Sequence, residues 1–537
     1  MDVKIPSIII TGASGFVGKA LLDEFKNEFR IFAIARRSQL ESGAPVHENI
    51  AWIRADVSDV NSVSKAFREI KTAGGADYLI HLAAYYDFTG EDKPQYQNTN
   101  VDGTRNVLNL FKELNLRLFI FVSSTAASDF PGPGQYLNED SPPDSDFNYA
   151  RSKRLGEKMM EENASQIPNC IVRFGAVYSD WCEYPPLYMF LNTWLGKSWR
   201  KNILSGKGQS AVPYIHIRDI AAFFSKLLSN YKKLKPAQIV IASTSGSTTH
   251  EQLFRLATRY YKGSSDKPFY MPVILCGVGL YSMYFFGKLI NKLPFERPWM
   301  YRYIDLQLNI ENKKTCELID WYPQERYYIE KRMPFLVERL KSDPNAWHLR
   351  NQAVLISRQD RPDLQIHTAL VNAEIEIMES LLDFIFLAEN NVRFTFFQKL
   401  GQEEVKWFIK LLFQLLLTSI YAGNKLLLLN YFEVSSFGRF KAGYKLSEIS
   451  NVLRKLNELT VDKISATAGF EKYQQLFYDY ITLPIEFGID EVEHQYPLYQ
   501  VTEKPAEAEN ITIPDKNQNP ARVQLEETIW KCLVNRK

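Results

Sequence analysis

A chain of 537 residues is too long for one hydrophobic core and implies two or three domains. It is 45% hydrophobic with a formal charge of +2, which gives no electrostatic reason to expect a nucleic-acid partner. The five cysteines (Cys170, Cys182, Cys276, Cys316, Cys532) are scattered without metal-ligand spacing and the seven histidines form no ligand pairs, so the expectation is a metal-free cytoplasmic protein with reduced thiols. The first strand begins within the first ten residues, which leaves no room for a secretory signal peptide.

Ile8-Ile9-Ile10 is an apolar strand. It runs into Thr11-Gly12-Ala13-Ser14-Gly15-Phe16-Val17-Gly18 and then the helix-like Lys19–Phe25. Strand, glycine turn and helix N-terminus in that order form a pyrophosphate cradle. Gly12 supplies the turn, Gly15 lets the backbone approach the phosphates, and Gly18 lets helix and strand pack closely. Free N–H groups and the helix dipole then face the anion, so the turn, with Ser14, Phe16 and Val17, is read as dinucleotide-binding.

Ile31–Ala35 reads as the second strand. A cofactor with a free ribose 2′-OH usually meets an acid at the end of this strand. Arg36-Arg37-Ser38 stands there instead, and two guanidinium groups suit a 2′-phosphate. NADP(H) is therefore expected over NAD(H). Asp56-Val57, after the third strand Ile50–Arg54, is expected near the adenine.

Phe119–Val122 is a buried strand ending in Ser123-Ser124-Thr125, and Tyr149-Ala150-Arg151-Ser152-Lys153 follows downstream. Tyrosine and lysine four apart share a helical face. The ammonium is expected to lower the Tyr149 pKa, so that Tyr149 trades a proton with a carbonyl or alcohol while a serine hydroxyl holds the substrate oxygen.

These features resemble the extended short-chain dehydrogenase/reductases, which include NAD-dependent epimerase/dehydratase-like and 3β-hydroxysteroid dehydrogenase-like members. The resemblance spans roughly residues 5–345. It rests on Gly12/Gly15/Gly18, His81-Leu82-Ala83-Ala84, Asn100–Val107, Ser123-Ser124, Tyr149/Lys153, Arg173-Phe174-Gly175-Ala176-Val177-Tyr178 and His216-Ile217-Arg218-Asp219. It implies an α/β fold: a Rossmann core with a parallel, doubly wound sheet and a small substrate lobe. It further implies that Leu82, Ala83, Ala84, Asn100 and Tyr149 border the cofactor, that Lys153 also binds the nicotinamide ribose, and that Ser124 is the catalytic hydroxyl with Thr125 as the fallback.

The pattern also departs from the family. Phe174 and Ser179 stand where the family often has Pro and Gly, at positions expected to line the nicotinamide and substrate side. The acidic pair of the 4,6-dehydratase branch is replaced by Thr125-Ala126 or Ala126-Ala127, which argues against that branch. Arg218-Asp219 fits either a substrate contact or a helix-start salt bridge. Asp320-Trp321-Tyr322-Pro323 resembles the family's closing leucine-glycine-tryptophan-x-proline element, with Ile319 and Asp320 in place of Leu-Gly.

On the substrate side, Asp180–Leu191 is rich in aromatics, and Pro268–Gly287 runs twenty residues without a charge. The second stretch approaches the length of a bilayer span, but Pro272, Gly277 and Gly279 interrupt it. The leading reading is a buried or pocket-lining helix; the other is a peripheral, interfacial membrane contact. Both suit a bulky apolar small-molecule substrate, as in the 3β-hydroxysteroid and flavonol-type reductases.

After Lys341–Asn345 the pattern turns helical. Ala373–Ile385, Val405–Leu416 and Lys445–Val461 are amphipathic, and Leu426–Leu429 reads as core. Residues 346–500 are thus expected to form an all-α bundle with a regulatory or assembly role, such as homo-oligomerisation. Phe437–Ile449 loosely resembles globin-like helical stress-sensor domains. The polar stretch Val501–Pro520 reads as a linker, and Arg522–Val534 as a short helix, within the tail 501–537.

The reading is an NADP(H)-dependent oxidoreductase moving hydride between nicotinamide and a carbonyl or secondary alcohol, with Tyr149 as proton donor and acceptor. Two alternatives stand beside it. A redox-sensing NADP-binding regulator would signal through the helical domain, but sensors of this fold commonly lack the Tyr/Lys pair. A sugar-nucleotide epimerase would keep NAD bound, which Arg36-Arg37 and the apolar substrate region disfavour.

Overall fold

The structure is a computed structural model that describes residues 5–290, 293–355, 362–467 and 469–502. The tail expected as linker and short helix lies outside the described residues, except that Val501 and Thr502 end a helix. The chain divides into two compact units. The first comprises residues 1–38 and 47–360, the second residues 39–46 and 361–537.

Unit 1 is built on seven parallel strands: β1 (Ser7–Thr11), β2 (Arg30–Ala35), β3 (Ile50–Arg54), β4 (Tyr78–His81), β5 (Leu118–Ser124), β6 (Asn169–Phe174) and β7 (Gln238–Ala242). Their order in the sheet is β7-β6-β5-β4-β1-β2-β3. The strands are continuous apolar runs because helices cover both faces; Ile8, Ile9 and Ile10 are fully buried. The order reverses beside β1, and ligands of such sheets sit outside the carboxyl ends of the strands at that point. Helices α1 (Phe16–Phe25), α2 (Gly103–Phe111) and α3 (Asn148–Glu162) carry the motifs that meet there.

A smaller lobe is made of short strand pairs: Ala176–Tyr178 with Tyr214–His216, Ile203–Ser205 with Phe269–Met271, and Ala211–Val212 with Thr248–Thr249. Asp320 caps the helix Lys313–Ile319 in the left-handed conformation (φ 52°), which explains why a glycine suits that position. Trp321 beside it is buried edge-on against Phe223, 5.0 Å between centroids.

The uncharged stretch forms helix α4 (Val273–Leu289), and here the leading expectation fails. Only Cys276, Gly277 and Gly287 of this helix are buried, while most of its large apolar side chains face out. The neighbouring turn Pro298–Tyr303 covers one narrow edge: a Cβ on Gly277 would stand 2.9 Å from the Tyr301 ring. Leu280 alone of this helix lines the cavity described below.

Unit 2 is helical: α5 (Pro362–Phe386), α6 (Gln402–Ala422), α7 (Leu427–Lys441), α8 (Leu446–Ser465) and α9 (Leu483–Thr502), with shorter turns between. Its core draws on all five. α6 is the one described helix long and apolar enough to cross a membrane, and most of it is buried in this core. The buried Glu448 carboxylate accepts the backbone N–H groups of Phe396 and Phe397, capping Thr395–Leu400. Leu428 is fully buried but Leu426 is exposed, so Leu426–Leu429 is core only in part. Gln39–Val46 clusters with this unit, where Leu40 packs on the core.

Candidate active site

Gly12 takes φ +72°, and a Cβ there would stand 2.8 Å from the Ala83 nitrogen. A Cβ on Gly18 would stand 2.4 Å from the Gly12 carbonyl, so any side chain would force α1 off β1. The α1 N-terminus has Gly15 as its cap with no side-chain partner, leaving its first N–H groups for an anion. A groove of about 340 Å³ runs past Gly12, Ser14 and Gly15 to Arg36, Arg37 and Val57, bordered by Leu82, Ala83 and Ala84. Arg36 is exposed at its edge. Arg37 donates to the Ser14 carbonyl (3.1 Å) and hydroxyl (3.3 Å), and the Trp52 indole N–H donates to the Arg37 carbonyl (3.0 Å). The residues present fit a dinucleotide: a cradle that a Cβ would fill, an open helix N-terminus and two guanidinium groups at the adenosine end.

A cavity of about 630 Å³ adjoins the cradle. Its lining includes Phe16, Val17, Gly18, Ser124, Tyr149 and Lys153. The Ser124 hydroxyl lines the same cavity as the Tyr149 phenol and caps the turn after β5, accepting from the Ala126 N–H (3.2 Å). Thr125, the fallback, spends its hydroxyl on the Phe174 carbonyl (3.1 Å). The buried Lys153 ammonium donates to the Val122 carbonyl (2.8 Å) and lies 5.8 Å from the Tyr149 ring centroid. Burial pulls Lys153 down to about 8, with Glu157 acting the other way. Burial also pushes the Tyr149 phenol above its ordinary value, which the neighbouring Ser124 hydroxyl only partly offsets. The expected lowering of Tyr149 by Lys153 is therefore corrected: burial in this apolar pocket raises the phenol, and Lys153 is not among the groups that shift it. Tyr149 is a protonated acid at neutral pH.

Two buried networks hold the catalytic helix α3. Glu157 grips Arg173 of β6 in a fork (3.0 and 2.7 Å) and accepts the Ser123 hydroxyl (2.5 Å). A Cβ on Gly156 would stand 2.2 Å from the Phe121 ring, so α3 lies hard against β5. In the second network Asn100 donates to the Ser152 hydroxyl (2.9 Å), and its amide also exchanges bonds with the Tyr85 backbone (2.6 and 2.9 Å). Asn100 is thus buried behind the site rather than lining the groove. His81 sits between the Thr11 and Thr104 hydroxyls (2.8 and 3.0 Å), and burial pulls its imidazole down to about 3, so it is neutral.

Other expected residues fall outside the site. Asp56 caps its own turn, accepting from Ser58, while its neighbour Val57 lines the groove. Ser179 does not line the cavity; it bonds to Glu183 (2.6 Å) and closes a turn to Cys182. Phe174 does line it. Asp219 is buried and accepts the Gln324 N–H, and Arg218 lies over Tyr327, so neither touches the cavity nor pairs with the other.

Sequence reading missed the aromatic wall. Tyr86 lies against Tyr149 (4.1 Å between centroids), Phe88 against Tyr86 (4.5 Å) and Phe295 (5.7 Å), and Trp299 against Phe147 (6.1 Å). Its local signal was Tyr85-Tyr86-Asp87-Phe88 directly after the motif that follows β4.

Residues 8–242 match the family model of the NAD dependent epimerase/dehydratase family. The dTDP-D-glucose 4,6-dehydratase of Dictyostelium discoideum is 25% identical over 42% of this chain and 56% of its own length. The 2-alkyl-3-oxoalkanoate reductase of Shewanella oneidensis is 30% identical over 32% and 42%. The 3 beta-hydroxysteroid dehydrogenase type 7 of Rattus norvegicus is 28% identical over 30% and 50%. The chain thus spans about half the length of the curated relatives it matches. Among solved structures, the dTDP-glucose 4,6-dehydratase of Bacillus anthracis in complex with NAD aligns over 64% of this chain and 99% of that one, with 16% identity and a TM-score of 0.49.

Proposed function

We propose that residues 8–242, which match the family model, form an NAD(P)-binding domain of the NAD dependent epimerase/dehydratase family within the extended short-chain dehydrogenase/reductases, and that the protein is an NADP(H)-dependent oxidoreductase acting on the carbonyl or secondary alcohol of a bulky apolar substrate. The observation that carries this reading is the character of the cavity. Its wall is aromatic, and Lys153 is the one cation among the described residues lining it, beside two acids, Glu183 and Glu296. A sugar nucleotide brings a diphosphate that calls for Arg or Lys partners, and the cavity offers none beyond the lysine that serves the tyrosine. An uncharged, largely apolar molecule fits.

The cofactor, when bound, supplies or accepts the hydride at the substrate carbon. The residues of this chain do the rest. Ser124 and Tyr149 hold the substrate oxygen between two hydroxyls. In the reducing direction Tyr149 gives its proton to that oxygen as negative charge develops there. The Lys153 ammonium stabilises the phenolate left behind and would also hold the nicotinamide ribose. Arg36 and Arg37 take the 2′-phosphate, which selects NADP(H) over NAD(H). Glu157 and Asn100 are positioning residues that fix α3. The helical unit carries no part of this chemistry and is assigned a regulatory or assembly role, including homo-oligomer formation. A cytoplasmic location, open to attachment at a membrane surface, is the reading that the scattered cysteine spacing supports.

The test is a panel of bulky apolar ketones and secondary alcohols, with NADPH or NADP followed at the nicotinamide absorbance. Oxidation of NADPH by one of the ketones supports the reading. Turnover of a sugar nucleotide with tightly held NAD, and none with NADPH and ketones, would replace it with epimerisation.

A further inference from the structure

Helix α4 exposes a stripe at helical spacing: Ile274 is 76% exposed, Val278 62%, Tyr281 60%, Phe285 60% and Leu289 68%. The adjoining segments carry Trp199, 79% exposed, and Phe269, 62% exposed. These segments are joined: Ile203–Ser205 pairs with Phe269–Met271, and the Arg200 guanidinium meets the Met283 sulfur at 3.5 Å. Single exposed apolar residues are ordinary, but a contiguous patch of this size marks a surface that is covered in use.

Charge identifies the cover. The described residues of segments 197–207, 267–290 and 293–297 carry seven lysines and arginines and a single acid, Glu296. Their net charge is +6, against +2 for the whole chain, so the remainder is −4. A second copy would set one strongly basic face against another. An anionic lipid surface matches the apolar stripe and the basic flanks together. Lys267 precedes the helix and Lys288 lies in its last turn; at 17 residues it falls short of the roughly 20 needed for a span. It is suited to lie in the interface plane.

The patch is continuous with the catalytic cavity. Leu280 of α4 and Phe295, Trp299 and Met300 just after it line the cavity that also holds Ser124 and Tyr149. We propose that α4 and its basic flanks seat the protein peripherally on an anionic membrane, and that the apolar substrate reaches Tyr149 from the lipid side. The entry route rests on the proposed apolar substrate; the docking surface does not.

The test is co-sedimentation of the full chain with vesicles of phosphatidylcholine alone or mixed with phosphatidylglycerol. The wild type pellets with the mixed vesicles and is released by high salt. Ile274→Glu/Phe285→Glu weakens this by at least about tenfold, because two charges enter the apolar face. Neither residue lines the cavity, so NADPH-dependent turnover of a small water-soluble ketone is unchanged. A wild-type chain that stays in the supernatant with phosphatidylglycerol vesicles overturns the proposal. So does a concentration-dependent dimer, without lipid binding, that the double variant abolishes; the cover is then a second copy. Lipid binding with no NADPH turnover of any ketone leaves the docking surface standing and overturns the entry route, and in that case the functional reading has failed.

Discussion

Glu157→Gln isolates the ion pair that ties the catalytic helix to the sheet. Both side chains are sealed from solvent, Arg173 at 2% and Glu157 at 1% exposure. The substitution keeps the shape but removes the charge. The amide nitrogen must face one arm of the fork where a carboxylate oxygen accepted at 2.7 or 3.0 Å, so Arg173 loses its counter-charge and one arm, keeping the amide oxygen, the Ser141 carbonyl at 2.7 Å and the Ser128 hydroxyl at 3.5 Å. A buried charge that loses its partner costs about 3–5 kcal/mol. Urea unfolding read by tryptophan fluorescence measures this in unit 1, which holds Trp52, Trp181, Trp194, Trp199, Trp299, Trp321 and Trp347, seven of the nine tryptophans. Glu157→Gln/Arg173→Met should recover most of the loss, since the orphaned charge is gone and apolar contacts replace it. A single-variant loss below about 1 kcal/mol would match an exposed ion pair and refute the reasoning.

Arg36→Ala should weaken NADPH binding by about 1–3 kcal/mol, the scale of a charge-assisted hydrogen bond, and leave NADH nearly unchanged, as read by fluorescence titration of both. Carbonyl reduction should fall as pH rises through about 8, where Lys153 loses the proton that lets it stabilise the phenolate, and Lys153→Met should flatten the profile along with lowering it. Burial alone would raise Asp180, but hydrogen bonds and charge from His216 and Arg332 hold it at about 2. A depressed carboxylate contributes its stability above the unfolded value, so this contribution is present at neutral pH and lost as pH falls from about 4 to about 2; Asp180→Asn should remove that part of the acid transition in circular dichroism.

The cofactor cradle was legible because it is local: strand, turn and helix follow one another, and the tight contacts of Gly12 and Gly18 are what glycine spacing encodes. The Tyr149/Lys153 pair was legible for the same reason. What was not legible depends on distant partners. Asn100 carries a family motif yet faces Ser152, fifty-two residues away, and not the groove. The raised Tyr149 pKa follows from burial under side chains such as Tyr86, which no spacing rule reports. α4 has the composition of a core helix, and its exposure is set by what the rest of the lobe leaves uncovered. The clustering of Gln39–Val46 with the helical unit has no local signature, because its partners lie more than three hundred residues on.

Tyr149→Phe, assayed with NADPH and any ketone the wild type reduces, tests the central claim most directly. The phenol shares its cavity with the Ser124 hydroxyl and lies beside Lys153, while the groove proposed to hold the cofactor is lined by other residues. Turnover should fall at least about a hundredfold, the scale of a positioned proton donor, while NADPH affinity stays at the wild-type value. Near wild-type turnover by the phenylalanine variant would contradict the account and move the acid to another group.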